Sequence, residues 1–172
     1  MKLSPELTRL LAEIDNWRLS PAMRLAAAER LAGNWSQWQT ELELPAAPCE
    51  IDLHCHSFFS DGYCSPAMKV CEARQRGMHG LAICDHDHFD GQREALAAGE
   101  IFGIEVIPAT EFYTSRPGVE ILGFFPDAAA FLDLLDRGLA DPVVEPIRQA
   151  KRHQLEAMLA RVTPCFARLG FT

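Results

Sequence analysis

Hydrophobic and polar positions follow one pattern before residue 50 and another after it. In the first 48 residues, Ser4-Pro5 and Ser20-Pro21 are typical of helix starts, with serine as the cap and proline in the first turn. Leucines recur at helical spacing after the first start, and a third short helix is expected around Trp35. Residues 1–48 therefore predict a helical extension, and its proline-rich end at residues 45–48 is expected to be a linker.

From residue 49 onwards, short apolar runs alternate with helix patterns. The expected strands lie at residues 51–54, 81–84, 104–109 and 119–125. The expected helices lie at residues 66–76, 91–102, 128–135 and 142–169, with Asp90 as the cap of the second and Pro164 kinking or breaking the last. This order favours an α/β fold with largely parallel strands for residues 49–172. About four strands are too few for a closed eight-stranded barrel.

Composition and charge narrow the range of partners. The chain has 172 residues, 48% of them hydrophobic, and a formal net charge of -8. An acidic surface argues against broad nucleic-acid binding, which needs stripes of lysine and arginine. No run approaches the length of a membrane span, and the first residues do not resemble a signal peptide. The six cysteines form no C-x-x-C pair, so free thiols in a reducing cytoplasm are expected.

The candidate chemistry begins at the first predicted strand. Alternate residues of an extended strand share a face, so His54 and His56 would project together, as two imidazoles bound to one metal ion must. Leu53 is expected to point the other way, into the packing. Asp61 follows in an Asp-Gly turn, from which its carboxylate could swing back towards the histidines.

Two further polar clusters follow apolar runs. His86 and Asp87 come directly after a predicted buried strand, and Glu111 comes just after another. The carboxyl ends of strands are where α/β proteins place their ligands, so the three clusters could converge on one rim. A lone H-x-H pair is a weak signal, and it is the combination that predicts a metal site. Mixed imidazole and carboxylate ligands suit manganese, iron or zinc better than calcium.

The motifs resemble those of the PHP family, named for polymerase and histidinol phosphatase, over about residues 50–127 and more weakly towards residue 170. The residues that carry the resemblance are Asp52-Leu53-His54-Cys55-His56-Ser57, Ser60-Asp61-Gly62, Ala82-Ile83-Cys84-Asp85-His86-Asp87, Glu111 and Ile121-Leu122-Gly123-Phe124-Phe125. The resemblance implies a distorted seven-stranded β/α barrel with two or three divalent metal ions at the carboxyl ends of its strands. It also implies hydrolysis of phosphate esters, of the nucleotide or short oligonucleotide type, by a metal-bridging hydroxide.

The resemblance also assigns roles to individual residues. One metal ion would be held by His54, His56 and Glu111. A second would be held by Asp61 and His86, and Asp87, which lies beside it, is the candidate catalytic residue. Apart from the resemblance, Arg116 is the candidate substrate ligand, because it lies in a predicted loop on the plausible active rim and could contact a phosphate. A solvent-exposed cation is at least as good an interpretation of Arg116.

The chain departs from the family pattern at two places. Where family members carry a histidine before the Ile-Leu-Gly strand, this chain has Glu120, which removes a third metal ion or changes its ligand. The late Asp-x-His pair of the family does not occur after residue 111. The expectation is therefore an incomplete (β/α)7-type barrel that lacks its C-terminal strands, with an open edge through which a homo-oligomer could form.

Three functions remain open from the sequence. The first is a metal-dependent phosphoesterase acting on a phosphorylated small molecule or nucleotide. The second is a truncated, non-catalytic metal-binding or assembly module of the same fold. The third, an amidohydrolase with a similar H-x-H start, ranks last because such enzymes usually need a lysine after a later strand. Lysine is scarce in this chain, and none lies at a convincing strand end.

Overall fold

The computed structural model describes residues 3–42, 50–116 and 118–168. The helices are α1 (Pro5–Ile14), α2 (Pro21–Ala32), α3 (Trp35–Trp38), α4 (Pro66–Gln75), α5 (Gln92–Phe102), α6 (Ala128–Asp136) and α7 (Asp141–Arg168). The strands are β1 (Ile51–Cys55), β2 (Gly80–Ile83), β3 (Glu105–Val106), β4 (Ala109–Tyr113) and β5 (Glu120–Phe124). The linker and the domain boundary predicted near residue 48 lie outside the described residues.

Contacts divide the chain into two units, Met1–Leu132 and Asp133–Thr172. The first unit contains every strand of the described residues, and the second consists mainly of α7. No helix among the described residues combines the length and the apolarity needed to cross a bilayer.

Three helices begin with the same local chemistry. The hydroxyl oxygens of Ser4, Ser20 and Ser65 accept hydrogen bonds from the backbone N–H three residues ahead, at 3.0–3.3 Å, and a proline follows each serine. These bonds satisfy donors that a helix start otherwise leaves unpaired. The predicted starts of α1, α2 and α4 are therefore confirmed.

The start of α5 differs from the prediction. The residue before α5 is Gly91 and not Asp90, and no side chain caps the helix. A Cβ at position 91 would lie 3.0 Å from both Phe59 and Pro66, so a glycine fits the close packing there. The predicted end at Gly103 is confirmed: this residue takes the left-handed conformation, with φ of 66°, that glycine adopts readily.

The first unit packs a parallel sheet against helices, which confirms the α/β class. The sheet has the order β1-β2-β3, with Ile51 beside Gly80 and Leu81 beside Val106. Helices α1 and α2 pack on α4, and α2 also packs on α5. Their apolar side chains and those of the sheet form one core, so the predicted helical extension and the α/β part share their interior.

The predicted strand over residues 104–109 is in fact interrupted. Strand β3 ends at Val106 and β4 begins at Ala109, because Pro108 between them has no N–H to donate to a strand ladder. Strand β4 then continues to Tyr113 and pairs with β5 as an antiparallel hairpin. Glu111 therefore lies inside a strand and not just after one, and the described residues form five strands, not four.

Two smaller expectations were also wrong. Leu53 does not point into the packing: its exposed fraction is 47%, since β1 is paired along one edge only among the described residues. Helix α7 continues through Pro164 and Pro146, so the predicted break at Pro164 is wrong, and the alternative of a kink there stays a prediction. A proline removes one backbone hydrogen bond, and the turns on either side of it continue the helix.

A buried ion pair joins α2 to α5. The Nε of Arg24 donates to Oε1 of Glu94 at 2.8 Å, and a second bond joins the two remaining head-group atoms. The exposed fractions of the two side chains are 2% and 1%. Backbone carbonyls of Asn16 and Leu19 accept further bonds from Arg24, so the guanidinium is satisfied within the protein.

Candidate metal centre

Strand pairing brings the three predicted clusters side by side. His54 lies in β1, which runs parallel to β2, and His86 follows the end of β2. The chain at His86 then forms a parallel bridge with Glu111 of β4. Two backbone hydrogen bonds fix the register of this bridge. Asp87 N donates to Glu111 O at 3.1 Å, and Glu111 N donates to Asp85 O at 3.4 Å.

One carboxylate oxygen lies at the centre of the cluster. Oε2 of Glu111 is 3.1 Å from Nε2 of His54, 3.2 Å from Nε2 of His56 and 3.7 Å from Nδ1 of His86. The imidazole rings also lie close together, with centroids 5.1 Å apart for His54 and His56 and 4.8 Å apart for His56 and His86. Three imidazoles from two segments thus face a single carboxylate.

Asp61 lies at the open side of this group. Its Oδ1 is 3.3 Å from Nδ1 of His56, and its Oδ2 is 3.6 Å from Nε2 of His86. The exposed fraction of its side chain is 69%, against 18% for His56 and 13% for His86. The structure therefore brings together all five residues that the sequence predicted as metal ligands, and Asp61 is the one that faces solvent most.

Glu120 joins the group, and the sequence interpretation did not include it among the ligands. Ligand atoms of His86, Glu111 and Glu120 lie within 4.8 Å of one another, as do those of His54, His56 and Glu111 and those of His56, Asp61 and His86. Glu120 reaches this position because β4 and β5 form a hairpin in which it pairs with Tyr113. The sequence signal was its place before the Ile-Leu-Gly strand. We call these six residues (His54, His56, Asp61, His86, Glu111 and Glu120) the donor cluster.

The donor cluster fits divalent cations on three counts. Two ligand atoms that each lie about 2 Å from one ion are separated by roughly 3 Å, close to the 3.1–3.7 Å spacings around Glu111. Imidazole and carboxylate together are the ligand set of zinc, iron and manganese sites. In addition, Nδ1 of His86 is buried and has no hydrogen-bond partner among the described residues, although it can bind a cation.

The electrostatic environment favours an ionised Glu111. Burial raises the pKa of Glu111, but hydrogen bonds with His54 and Glu120 and electrostatic interactions with His54 and His86 outweigh it. The net pKa of Glu111 therefore lies below its ordinary value. A carboxylate that stays charged at neutral pH is what a cation ligand requires.

Asp87, the predicted catalytic residue, packs against the backbone of β4. Its Oδ1 accepts a hydrogen bond from the N–H of Tyr113 at 2.9 Å, and its exposed fraction is 2%. Its φ of 56° lies in the left-handed region, which aspartate tolerates better than most residues. Asp87 is thus next to His86 in sequence and fixed in position, and its catalytic role stays a prediction.

Two further polar residues are His88, which follows His86 and Asp87 in the sequence, and Arg116, the predicted substrate ligand. The Nε2 of His88 donates to the carbonyl of Phe59 at 2.8 Å, and its Nδ1 accepts from Asp90 N at 3.3 Å. Both nitrogens of His88 are therefore engaged within the protein. Arg116 is exposed, in a turn where Thr114 Oγ1 donates to its carbonyl at 3.2 Å. Its role as a substrate ligand stays a prediction.

The described cysteines are free thiols, and four of them share a raised pKa that keeps them protonated. Burial raises the pKa of Cys55, Cys64, Cys71 and Cys84 to about 12. Cys84 directs its Sγ to the carbonyl of Leu53 at 3.4 Å. Since a metal ligand must be a thiolate, these residues behave as small packing side chains.

Known proteins share this arrangement of motifs. A 5'-3' exoribonuclease of Haemophilus influenzae is 45% identical over 76 residues, which are 43% of this chain and 28% of the relative. A 3',5'-nucleoside bisphosphate phosphatase of Chromobacterium violaceum is 33% identical over 118 residues, 67% of this chain and 41% of the relative. The chain thus spans well under half the length of these two curated relatives.

A solved structure and a family model agree with these relatives. The crystal structure of a candidate metal-dependent phosphoesterase from Bifidobacterium adolescentis matches with a TM-score of 0.55 and 29% identity, over 69% of this chain and 40% of that chain. The model of the PHP domain matches residues 52–160, a segment that contains the whole donor cluster. The chain therefore belongs to the PHP domain family.

Proposed function

We propose that this protein is a metal-dependent phosphoesterase whose metal ions are held by the donor cluster. The observation that carries the proposal is the position of Glu111 Oε2, within 3.7 Å of ring nitrogens from three histidines. A carboxylate and three imidazoles in such proximity form a set of Lewis bases that can share neighbouring cations. In this proposal His54, His56 and Glu111 hold one ion, and Asp61 and His86 hold a second.

The bound cations would supply Lewis acidity, which lowers the pKa of a water molecule to roughly 7 and offsets the charge of a phosphoryl group. The residues of the chain supply the framework for that chemistry. Glu111 and Asp61 offset part of the cation charge, and the strand pairing keeps the histidines oriented before substrate arrives. Arg116 is proposed to contact a non-reacting phosphate oxygen from the exposed turn.

The substrate proposed is a nucleotide or a short oligonucleotide. The named activities of the two curated relatives, on nucleoside bisphosphates and on RNA, support this class. A feature of the site is consistent with it: the ring of Tyr113 lies 4.9 Å from that of His86, and its exposed fraction is 39%. An aromatic face beside the metal ligands can stack on a base, which contributes about 1–3 kcal/mol per base.

The proposal also covers the fold and the domain organisation of the chain. Strands β1 and β5 present apolar side chains to solvent, among them Ile51, Leu53 and Ile121 with exposed fractions of 45–57%. We propose that these strands are open edges of an incomplete (β/α)7-type barrel, with residues 1–48 as a helical extension and residues 49–172 as the PHP domain. Pairing with another chain at such an edge could form a homo-oligomer.

A second candidate function is a metal-binding or assembly module without turnover. The sequence after residue 111 contains no Asp-x-His pair, and the exposed side chains of β1 and β5 offer a surface for association. In this case the chain would bind cations and associate, and it would hydrolyse nothing.

Hydrolysis by defined variants tests the proposed function. The metal-free chain is supplied with Mn²⁺, Fe²⁺ or Zn²⁺ and assayed on a nucleoside bisphosphate and on a generic phosphodiester. We expect metal-dependent turnover that is lost in His54→Ala and in Glu111→Ala. The matched control is His79→Ala, because His79 is an exposed histidine paired with Glu50, outside the donor cluster. Turnover that persists in both cluster variants would overturn the assignment, and bound metal in an associated but inactive wild-type chain would favour the second candidate.

A further inference from the structure

Beneath the donor cluster lies a buried carboxylate with no assigned role. Asp85 has an exposed fraction of 1%, and it accepts three hydrogen bonds from the turn that follows β1. Its Oδ1 accepts from the N–H of Ser57 at 2.8 Å and from the hydroxyl of Ser60 at 2.6 Å. Its Oδ2 accepts from the hydroxyl of Ser57 at 2.6 Å. A buried carboxylate is costly unless paired, and here the turn supplies every partner.

Ser60 connects this carboxylate to His56. Its Oγ lies 3.3 Å from Nδ1 of His56 and 2.6 Å from Oδ1 of Asp85. A hydroxyl has a single hydrogen, and Asp85 can only accept, so the short bond commits that hydrogen to the carboxylate. Towards His56, Ser60 can then only accept a hydrogen bond.

The surroundings of the two ring nitrogens of His56 differ. Besides Ser60, the atom near Nδ1 is Oδ1 of Asp61, at 3.3 Å, and it is also an acceptor. Nε2 points into the donor cluster, 3.2 Å from Oε2 of Glu111, and can bind a cation there only through its lone pair. A neutral ring that binds a cation through Nε2 carries its hydrogen on Nδ1, where Ser60 and Asp61 can accept it.

We propose that Asp85 is a positioning residue that acts through Ser60 to hold His56 in the Nδ1–H tautomer, so that Nε2 is the atom offered to a metal ion. This inference rests on the proposed function, because it takes His56 to be a ligand. It adds which nitrogen binds and which residues outside the donor cluster decide it. Partners that orient a ligating histidine in this way typically change metal affinity by about 10- to 100-fold.

The same geometry separates two serines that contact one carboxylate. Ser57 and Ser60 each donate a hydroxyl hydrogen to Asp85, but of these two hydroxyls only that of Ser60 lies at hydrogen-bond distance from the ring of His56 in the described structure. A purely structural role of Asp85 predicts similar consequences when either hydroxyl is removed. A positioning role predicts that metal affinity depends on Ser60 much more than on Ser57.

Two measurements on the full chain test the inference. Co²⁺ is titrated in competition with a chromophoric chelator, and we expect the affinity of Ser60→Ala to fall by about 10- to 100-fold. Ser57→Ala is the matched control and should stay close to the wild type, while Ser60→Thr, which keeps the hydroxyl, should restore most of the affinity. Equal losses in Ser57→Ala and Ser60→Ala, or no loss in Ser60→Ala, would overturn the proposal.

The second measurement reads the tautomer in the metal-bound protein. Nitrogen-15 NMR of the Zn²⁺-loaded wild type, with His56 assigned by comparison with His56→Gln, reports which ring nitrogen carries the proton. We expect the Nδ1–H form, and an Nε2–H form would overturn the inference. A wild type that bound neither Co²⁺ nor Zn²⁺ would contradict the proposed function and the inference with it, whereas a wild type that bound Co²⁺ no more tightly than Ser60→Ala would contradict the inference alone.

Discussion

Two groups of charged side chains in the first unit differ in how fully the protein satisfies their hydrogen-bonding atoms. Arg24 and Glu94 form a closed pair, in which two parallel hydrogen bonds and backbone carbonyls satisfy the guanidinium in an almost fully buried place. In the donor cluster, Glu111 faces three imidazoles, Asp61 is largely exposed, and a nitrogen of His86 lacks a hydrogen-bond partner among the described residues. The hydrogen-bonding groups of the first pair are satisfied within the protein. The second group leaves a ring nitrogen available among the described residues, as expected of side chains proposed to bind a cation.

The largest expected effect is that of Glu111→Gln on catalysis. The change keeps the shape of the side chain but removes the charge that three histidines surround. We expect loss of metal binding and a fall in kcat/KM of about a thousandfold, as the removal of several kcal/mol of metal-derived stabilisation implies. The free energy of unfolding of the metal-free protein should fall at neutral pH, because the lowered pKa of Glu111 shows that its ionised form favours the folded state, but by less than in Arg24→Met. The comparison would fail if this variant lost stability while it kept its metal ions.

Arg24→Met should show the reverse behaviour. It leaves the carboxylate of Glu94 buried without its cation, which typically costs about 3–5 kcal/mol of unfolding free energy. Denaturant unfolding measures the loss, and the double variant with Glu94→Gln should recover much of it because the buried charge is gone. Metal binding per folded chain should match the wild type, since neither residue belongs to the donor cluster. A marked loss of metal affinity in the folded variant would mean that the two groups are coupled.

Added metal should stabilise the wild type more than any variant that lacks a central ligand. A ligand at 100 times its Kd that binds only the folded state contributes about 2.7 kcal/mol. Thermal unfolding of the wild type should therefore shift upwards by several degrees when Mn²⁺ is added, and chelator should reverse the shift. Glu111→Gln should show almost none of it, and Arg24→Met should show all of it from a lower starting point.

Local chemistry made some parts of this structure predictable. The Ser-Pro starts of α1, α2 and α4 depend on neighbouring residues only, and the H-x-H spacing on β1 depends on the two-residue repeat of a strand. These features could be predicted from a few adjacent positions. The five predicted members of the donor cluster could be grouped because they lie in or after β1, β2 and β4. The parallel pairing of β1 with β2 and the parallel bridge from His86 to Glu111 bring these segments together.

Other parts depend on contacts between distant segments. Glu120 joins the donor cluster through the register of the β4–β5 hairpin, and a one-residue shift would move it to the other face. Asp85 has its partners 25 and 28 residues away, in the turn after β1. In the sequence it was one more acidic residue beside His86. The separation of β3 from β4 at Pro108 was not predicted, because Pro108 lies within an apolar run that was interpreted as one strand.

Glu120→Gln is expected to have a smaller effect than the changes at Glu111. Glu120 is exposed and shares its group of ligand atoms with His86 and Glu111. His86 also belongs to the group with His56 and Asp61, and Glu111 to the group with His54 and His56, whereas Glu120 belongs to this one group. We expect one weak cation site to lose about tenfold in affinity, or the number of Co²⁺ ions bound per chain to fall by one, while the tighter site is kept. Competition titration resolves the two sites. An unchanged titration would remove Glu120 from the donor cluster.

The smallest expected effect is that of metal on the thiols beneath the cluster. Cys55 and Cys84 lie next to the ligand-bearing segments, but burial holds the pKa of each at about 12, so at pH 8 nearly all of each stays protonated. Alkylation in the native state should therefore modify the exposed Cys165 long before Cys84, at rates that Co²⁺ does not alter. The Co²⁺-loaded protein should also show no thiolate-to-cobalt charge-transfer band. If Co²⁺ protected Cys84 from alkylation, or if such a band appeared, a sulfur atom would be one of the ligands. The donor cluster could then no longer be described as imidazoles and carboxylates alone.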